Sequence, residues 1–498
     1  MHNEHAEIFF DRIMKGNDRR HAALWVLLFF VLAVGLQLFV PYPVDDDTAY
    51  HFTVGQLIKK HGILHSFPWT PFSWQFDHYA DKEFLFHLLF VPLGGLGFVT
   101  AARVVGALAG ALVLTTLYFV LRAEKVPLAG IWVLLLLTCS EFVFRLALVR
   151  PHLLSITLAL VLMWAFTRGR LPVVAIVAFL YPLSYVAFWQ IPLILVVAAG
   201  SARLLAGERG RWKPALTVLA GIVAGVALHP NTVNLLGINW IHMVNVLIEN
   251  AWGRKPEFEN IAKEFNPYTV EQWGRYLVIV TLMAGSALVL GWRERRKDPM
   301  PLAFAFVAVL FGLLTTRSLR FVEYFVPFSV AALAITSRPL AKRWLAPALL
   351  GVSLLFMLAF GMEPFKIIAS KTEYIEPRIA RYFAQAIPEG SQVFTCGWDH
   401  TGNLMLALPE RRLIVAADPT LFYKKDPDLY RIWRRIPLDA PIDSVEAIRQ
   451  LFKSRYVICL NYEAYWPFFD TLEKDRNVRT LLAEKRWVFF DLGEPAVQ

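Results

Sequence analysis

The run Arg19-Arg20-His21-Ala22-Ala23-Leu24-Trp25-Val26-Leu27-Leu28-Phe29-Phe30-Val31-Leu32-Ala33-Val34-Gly35-Leu36-Gln37-Leu38-Phe39-Val40, closed by Asp45-Asp46-Asp47-Thr48-Ala49-Tyr50-His51, decides the class of fold. Between Ala22 and Val40 there is no charged side chain. A bilayer core accepts about 20 residues of apolar helix, and this run supplies that length between a basic pair and an acidic triplet. The polar stretch Met1–His21 precedes it, and no small-residue cleavage site follows. The run therefore reads as a retained membrane helix and not as a removed signal peptide.

Similar runs recur as far as Phe360, near 22–41, 103–121, 127–144, 152–167, 171–188, 190–205, 214–230, 275–292, 300–316, 321–336 and 344–361. The composition agrees, with 56% hydrophobic residues and a mean hydropathy of +0.47 over 498 residues, which no soluble surface could carry. A net charge of +10 in a soluble chain would suggest nucleic acid. Here the basic residues cluster between apolar runs, the pattern of cytoplasmic loops, so no nucleic-acid partner is expected. The clusters are Arg19/Arg20, Arg122/Lys125, Arg168/Arg170, Arg203–Lys213, Arg293–Lys297 and Arg338–Arg343. All six share one side only if the short apolar stretch 84–99 does not fully cross. About eleven spanning helices follow, with 84–99 re-entrant or lying along the outer interface.

That parity places the N-terminus in the cytoplasm and puts 42–83, 231–274 and everything after about 362 on the outer face. Within the first outer segment, His51–His61 sets Phe52, Leu57 and Ile58 on one side, with Lys59 and Lys60 near its end, the pattern of an interfacial helix. Three adjacent carboxylates at a membrane surface repel one another and lose hydration, so Asp45-Asp46-Asp47 asks for a partner or a task. A second polar cluster, Asp77-His78-Tyr79-Ala80-Asp81-Lys82-Glu83, follows on the same loop. Arg150 with His152, His229-Pro230-Asn231, and Arg317 with Arg320 lie at helix ends expected on the same face. Arg317 and Arg320, three residues apart, fall on one side of a helix or tight turn and could grip a phosphate together.

After Gly361 the composition turns polar, dividing the chain into a membrane domain (1–361) and a soluble outer domain (362–498). Short apolar runs at Gln392–Cys396, Arg412–Ala417, Tyr456–Leu460 and Trp487–Leu492 read as strands. The stretches Glu373–Ala386, Ser444–Phe452 and Tyr465–Leu472 read as helices, giving a small α/β domain. Cys139, Cys396 and Cys459 have no metal-ligand spacing, and a Cys396–Cys459 bridge stays open. Nucleophile-elbow, Walker, HExxH, CxxC and GxGxxG patterns are absent, which counts against serine hydrolases, nucleotide-driven pumps and redox enzymes.

Laid in order, these residues resemble the GT-C superfamily of polytopic membrane glycosyltransferases, and most closely a bacterial branch of it. The matching elements are Asp45-Asp46-Asp47, Tyr50-His51, Gly55, His61-Gly62, Pro71-Phe72-Ser73, Glu83, Arg150-Pro151, Pro230-Asn231, Arg317-Ser318-Leu319-Arg320 and the closing Lys485–Asp491 run. Ala49 stands where that branch usually has an aromatic residue, Asp81-Lys82-Glu83-Phe84 replaces a more aromatic version, and its Asn-Pro is inverted to Pro230-Asn231. The resemblance implies a GT-C-like helical membrane bundle with interfacial helices and a small soluble α/β C-terminal domain, in the cell's inner (plasma) membrane. It implies a polyprenyl-phosphate-linked sugar as donor and a glycan, lipid or protein as acceptor.

By the same resemblance, Asp45 or Asp47 is the base or acceptor-orienting carboxylate and Glu83 a second acid. Arg317, Arg320 and Arg150 hold the donor phosphate, and His51, His152 and Asn231 line the substrate site. Some relatives use a divalent metal and others do not; if one is present, Asp45 and Asp47 are the expected ligands. Other readings stay open: a polysaccharide polymerase or ligase acting on lipid-linked glycans, a non-enzymatic lipid or glycan transporter, or an inactive scaffold on the same plan.

Overall fold

A computed structural model of the chain describes residues 2–42, 45–208, 212–248, 263–340, 344–370 and 375–493. Pro43 and Val44, parts of the Arg203–Lys213 and Arg338–Arg343 clusters, the middle of the 231–274 segment and the start of Glu373–Ala386 lie outside them. Among the described residues, three helices are long and apolar enough to span a bilayer: Arg19–Phe39, Phe98–Ala123 and Leu319–Leu340. Four bent helix pairs and the four shorter apolar helices His152–Thr167, Leu171–Ser184, Gln190–Leu205 and Met300–Thr315 fall on the remaining apolar runs. The chain is thus an integral membrane protein whose helical segments coincide with the runs read from sequence. Between them, 84–99 forms the five-residue helix Phe84–Leu88 and the 3-10 segment Val91–Leu96, neither long enough to cross.

The chain forms two compact units. One contains Met1–Pro41, Ala102–Gly225 and Glu264–Lys371. At its centre, Val322–Thr336 is buried along its whole length, with Met300–Thr315 packed against it and against Val278–Glu294 and Gln190–Leu205. Lipid tails are as apolar as leucine, so such helices are held by close packing at small residues. A Cβ on Gly225 would lie 2.3 Å from the carbonyl oxygen of Phe179, an approach that only glycine permits.

Each end of this bundle has a buried ion network. Glu124, only 3% exposed, accepts from Arg168 Nε at 2.8 Å and from Arg338 at 3.2 Å, and both guanidinium groups also reach Asp298 at 3.2 Å. Arg150 lies just before the helix His152–Thr167, and Arg168 just after it. Sixteen residues of helix separate the two ends by about 24 Å. Arg320 and Arg338 likewise flank Val322–Thr336. The Arg150/Arg320 end and the Arg168/Arg338 end are therefore opposite ends of the bundle.

The other unit gathers Tyr42–Ala101, Val226–Lys263 and Thr372–Gln498. Its sheet has the strands β1 (Gln392–Thr395), β2 (Arg412–Leu413), β3 (Tyr456–Leu460), β4 (Arg479–Ala483) and β5 (Trp487–Asp491), in the order β2-β1-β3-β5-β4. β2, β1 and β3 run parallel, while β5 and β4 are antiparallel to their neighbours. Four strands coincide with the apolar runs. β4 has half-exposed and exposed positions and lacks that signal.

Alternation along the strands sends Val393, Ile458 and Phe489 to one face and Phe394, Val457 and Phe490 to the other. The first face is covered by Tyr50, Val54, Leu57 and Ile58 from the helix Asp46–His61, together with Phe383 and Leu404. The apolar side of that helix is therefore covered by protein. The second face packs on Trp433, Ile448 and Phe468. Because Thr395 pairs with Ile458, the next residues Cys396 and Cys459 stand side by side, 5.2 Å apart at Cα, and form a disulfide.

Candidate active site

In the unit that contains the sheet, the acidic triplet opens the helix Asp46–His61, and its three carboxylates have separate fates. Asp45 is the N-cap: its Oδ1 accepts from Thr48 N at 2.9 Å and from the Thr48 hydroxyl at 2.6 Å, satisfying an amide that the helix leaves unpaired. The Asp46 carboxylate accepts from Gly402 N at 2.6 Å and from Asn403 N and Nδ2 at 2.7 Å. A Cβ on Gly402 would lie 2.2 Å from the Asp46 carbonyl oxygen, so the glycine makes this clasp possible. Asp47 is the most exposed of the three.

One turn on, His51 Nδ1 lies 2.8 Å from His87 Nε2. The helix comes this close because Gly55 has no side chain: a Cβ there would meet Phe90 Cβ at 2.7 Å and the His87 carbonyl oxygen at 2.8 Å. His87 Nδ1 donates to Asp81 Oδ1 at 2.6 Å, which leaves its Nε2 facing His51. Ligand atoms of His51, Glu83 and His87 all lie within 4.8 Å of one another, and the three residues are buried. Two imidazoles and a carboxylate suit a zinc-like or manganese-like divalent ion, and a carboxylate behind one imidazole is the usual outer-shell support. The donor set therefore fits a metal.

Asp81 is itself held from two sides. Its carbonyl oxygen accepts from His229 Nε2 at 3.0 Å, while His229 Nδ1 accepts from Asn231 N at 3.0 Å, so the ring is neutral with its proton on Nε2. Asn231 Oδ1 accepts from Asp81 N at 3.3 Å, and its Nδ2 donates to the Leu64 carbonyl at 2.9 Å. Burial, then the charges of Glu83 and Asp81, push the Tyr50 pKa well up, so its phenol stays neutral beside them. His242 and Asp418 add a half-buried pair at 2.6 Å.

In the helical unit, Arg145 Nη1 reaches Glu264 Oε2 at 2.9 Å and Glu323 Oε1 at 3.4 Å. Arg150 and Arg320 each approach the same Glu264 carboxylate at 3.4 Å. His152 Nε2 donates to the Arg145 carbonyl at 2.9 Å, positioning that arginine. Ser318 Oγ donates to the Glu264 carbonyl at 2.8 Å, and Leu319 N to the Asn266 carbonyl at 2.9 Å, tying the loop to the arginine-bearing turn. Three guanidinium groups thus converge on the one Glu264 carboxylate, with Glu323 also in reach of Arg145 and Glu141 near enough to feel its charge.

No family model and no curated protein sequence matches the chain. Solved structures do. The oligosaccharyltransferase AglB of Archaeoglobus fulgidus, solved with an inhibitory peptide and a dolichol-phosphate, aligns with a TM-score of 0.57 at 14% identity, over 88% of this chain and 69% of that one. ArnT of Cupriavidus metallidurans aligns with a TM-score of 0.59 at 14% identity, over 95% of this chain and all of that one. The arabinofuranosyltransferase AftD from mycobacteria aligns at 0.54 and 12% identity, and this chain spans 40% of its length. All three are GT-C membrane glycosyltransferases.

The chain has the GT-C fold.

Within this GT-C fold, Arg150, Arg320 and His152 meet in the helical unit, and His51, Glu83 and Asn231 meet in the other. Arg317 is exposed and makes no ion pair among the described residues. Arg145, Glu264, Glu323, His87, His242 and Asp418 are the principal members that sequence reading did not select. Glu83 and His87 are four residues apart, the spacing that places two ligands on one helical face, so His87 carried a readable signal. Arg145 and Glu264 are 119 residues apart and carried none.

Proposed function

We propose that this protein is a membrane glycosyltransferase that moves a sugar from a polyprenyl-phosphate donor to an acceptor on the extracytoplasmic side. The observation that carries the reading is the convergence of Arg145, Arg150 and Arg320 on one anion. Guanidinium groups clustered on one anion site bind phosphate oxygens, and in a membrane protein of this fold the phosphate at hand is a lipid's. Two features support the orientation. The Cys396–Cys459 disulfide belongs to an oxidising compartment, and the Arg168/Arg338 end carries the basic loops that favour the cytoplasm.

In the reaction, a carboxylate takes a proton from the acceptor nucleophile as it attacks the sugar's anomeric carbon. The bond to the phosphate oxygen breaks, and the arginines hold the charge that grows on the departing polyprenyl phosphate. We assign the base to Asp47 because it is the most exposed of the three carboxylates; Asp45 caps its helix and Asp46 clasps Gly402 and Asn403. A divalent metal would be held by His51, Glu83 and His87, in place of the Asp45 and Asp47 ligation considered from sequence, and when bound it would supply Lewis-acid stabilisation of negative charge. Asp81, His229 and Asn231 then orient that set.

The test is transfer from a panel of radiolabelled polyprenyl-phosphate sugars by the full chain and by Asp47→Asn at matched thermal stability. Loss of about 100-fold or more in the variant is expected for a removed base. Equal rates would remove Asp47 from the role. No transfer across the panel with glycan, lipid and protein acceptors would overturn the glycosyltransferase reading in favour of a polymerase or a transporter.

A further inference from the structure

A phosphate site needs cations, yet this one already contains an anion supplied by the chain itself. Exposure of the side chains grades outward through the cluster, from Glu323 at 2% and Arg145 at 6% to Arg150 and Glu264 at 19% and Arg320 at 31%. The deep pair Arg145–Glu323 is thus an interior ion pair, and Glu264 is the carboxylate of the accessible part. It touches all three guanidinium groups, Arg145, Arg150 and Arg320. A carboxylate presents two oxygens to guanidinium groups. A phosphate presents the same edge with a third oxygen and equal or greater charge.

Resting on the lipid-phosphate reading above, we propose that Glu264 is a resident stand-in for the phosphate: it occupies the arginine cluster when no lipid is bound and is displaced when a polyprenyl phosphate enters. The exchange has a physical purpose at each end of the cycle. Without Glu264, Arg145, Arg150 and Arg320 would lose the carboxylate they share, an arrangement disfavoured by repulsion and desolvation. With Glu264 competing for the site, the leaving polyprenyl phosphate is not trapped after transfer.

The geometry allows the swap. The backbone of the Glu264 segment is anchored by Ser318 and Leu319, so its side chain can turn outward while the loop stays in place. Burial pushes the Glu264 pKa up, but the pull of Arg320, Arg150 and Arg145 outweighs it and holds the pKa below the ordinary carboxylate range. Glu264 is therefore an anion at neutral pH, as a competitor must be.

The test measures undecaprenyl phosphate binding to the full chain in nanodiscs. Wild type binds and Arg320→Gln binds more weakly if the phosphate reading holds; no binding by wild type overturns both that reading and this one. Glu264→Gln should bind about tenfold more tightly, the scale of one removed competing contact. Unchanged or weaker binding by a folded Glu264→Gln overturns the stand-in while leaving the phosphate site intact.

A second measurement needs no variant. Carbodiimide coupling of a small amine to Glu264, read by mass spectrometry on wild type, should rise several-fold when the lipid saturates the site. Unchanged or reduced coupling overturns the proposal. Equal release by inorganic phosphate at the same concentration would assign the pocket to free phosphate and overturn the lipid as its ligand.

Discussion

The helices His152–Thr167 and Val322–Thr336 have an ion network at each end, and the two networks differ in arrangement. At one end Arg168 and Arg338 share both Glu124 and Asp298. At the other, Arg145, Arg150 and Arg320 converge on the single carboxylate of Glu264, with Glu323 also in reach of Arg145. The paired network joins loops, each guanidinium being matched by two acids. The convergent one gathers three guanidinium groups on one anion, the geometry expected of a phosphate site and an unnecessary one in a structural tie.

Breaking each network should separate the two roles. The largest expected effect is at the convergent end: Arg320→Gln should lower sugar transfer by about 1,000-fold, the upper range for a removed transition-state donor, with little change in melting temperature. A comparable fall in both would make this cluster a structural tie as well. At the paired end, Glu124→Gln leaves two guanidinium groups with only one of their two shared acids and should cost about 3 kcal/mol of stability, read as a lower melting temperature. Its turnover per folded molecule should match wild type; a selective loss of turnover there would erase the contrast.

Smaller effects sharpen the comparison in the unit that contains the sheet. Gly55→Ala must push the Asp46–His61 helix away from Phe90 and His87, at about 1–3 kcal/mol. It should also weaken retention of a divalent ion, read by elemental analysis of the purified protein. Unchanged metal content at lower stability would separate that packing from the site.

The smallest effect concerns Asp491, whose hydrogen bonds from Arg455 and Arg479 outweigh burial and lower its pKa to about 2. A lowered folded-state value stabilises above the ordinary 3.8. That contribution is lost as pH falls from there toward about 2. Asp491→Asn should flatten this part of the stability profile, and an unaltered slope would show that the pair contributes nothing.

These contrasts also show how far the residues could be read in order. The apolar runs were legible because a bilayer imposes one length and one polarity on every crossing segment. Four of the five strands were legible because both faces of the sheet are buried, so each reads as an apolar run. β4 was not, because its positions are partly or fully exposed. The acidic triplet was visible as a cluster, but three identical side chains gave no sign that Asp45 would cap a helix and Asp46 would hold Gly402. Those assignments depend on backbone donors, two of which come from a segment more than 350 residues away.

By itself the sequence determined the membrane bundle, the α/β character of the C-terminal part and the loops where charge collects, because hydrophobic length, alternation and charge clustering act locally along the chain. Only the tertiary structure decided which charges meet. Glu264 finds Arg145 and Arg150 across more than 110 residues, His51 finds His87 through the gap left at Gly55, and Arg320 turns into its cluster while Arg317 stays exposed. Electrostatic and metal-ligand contacts act over a few ångströms in space, and that distance is set by how helices pack, not by spacing in the chain.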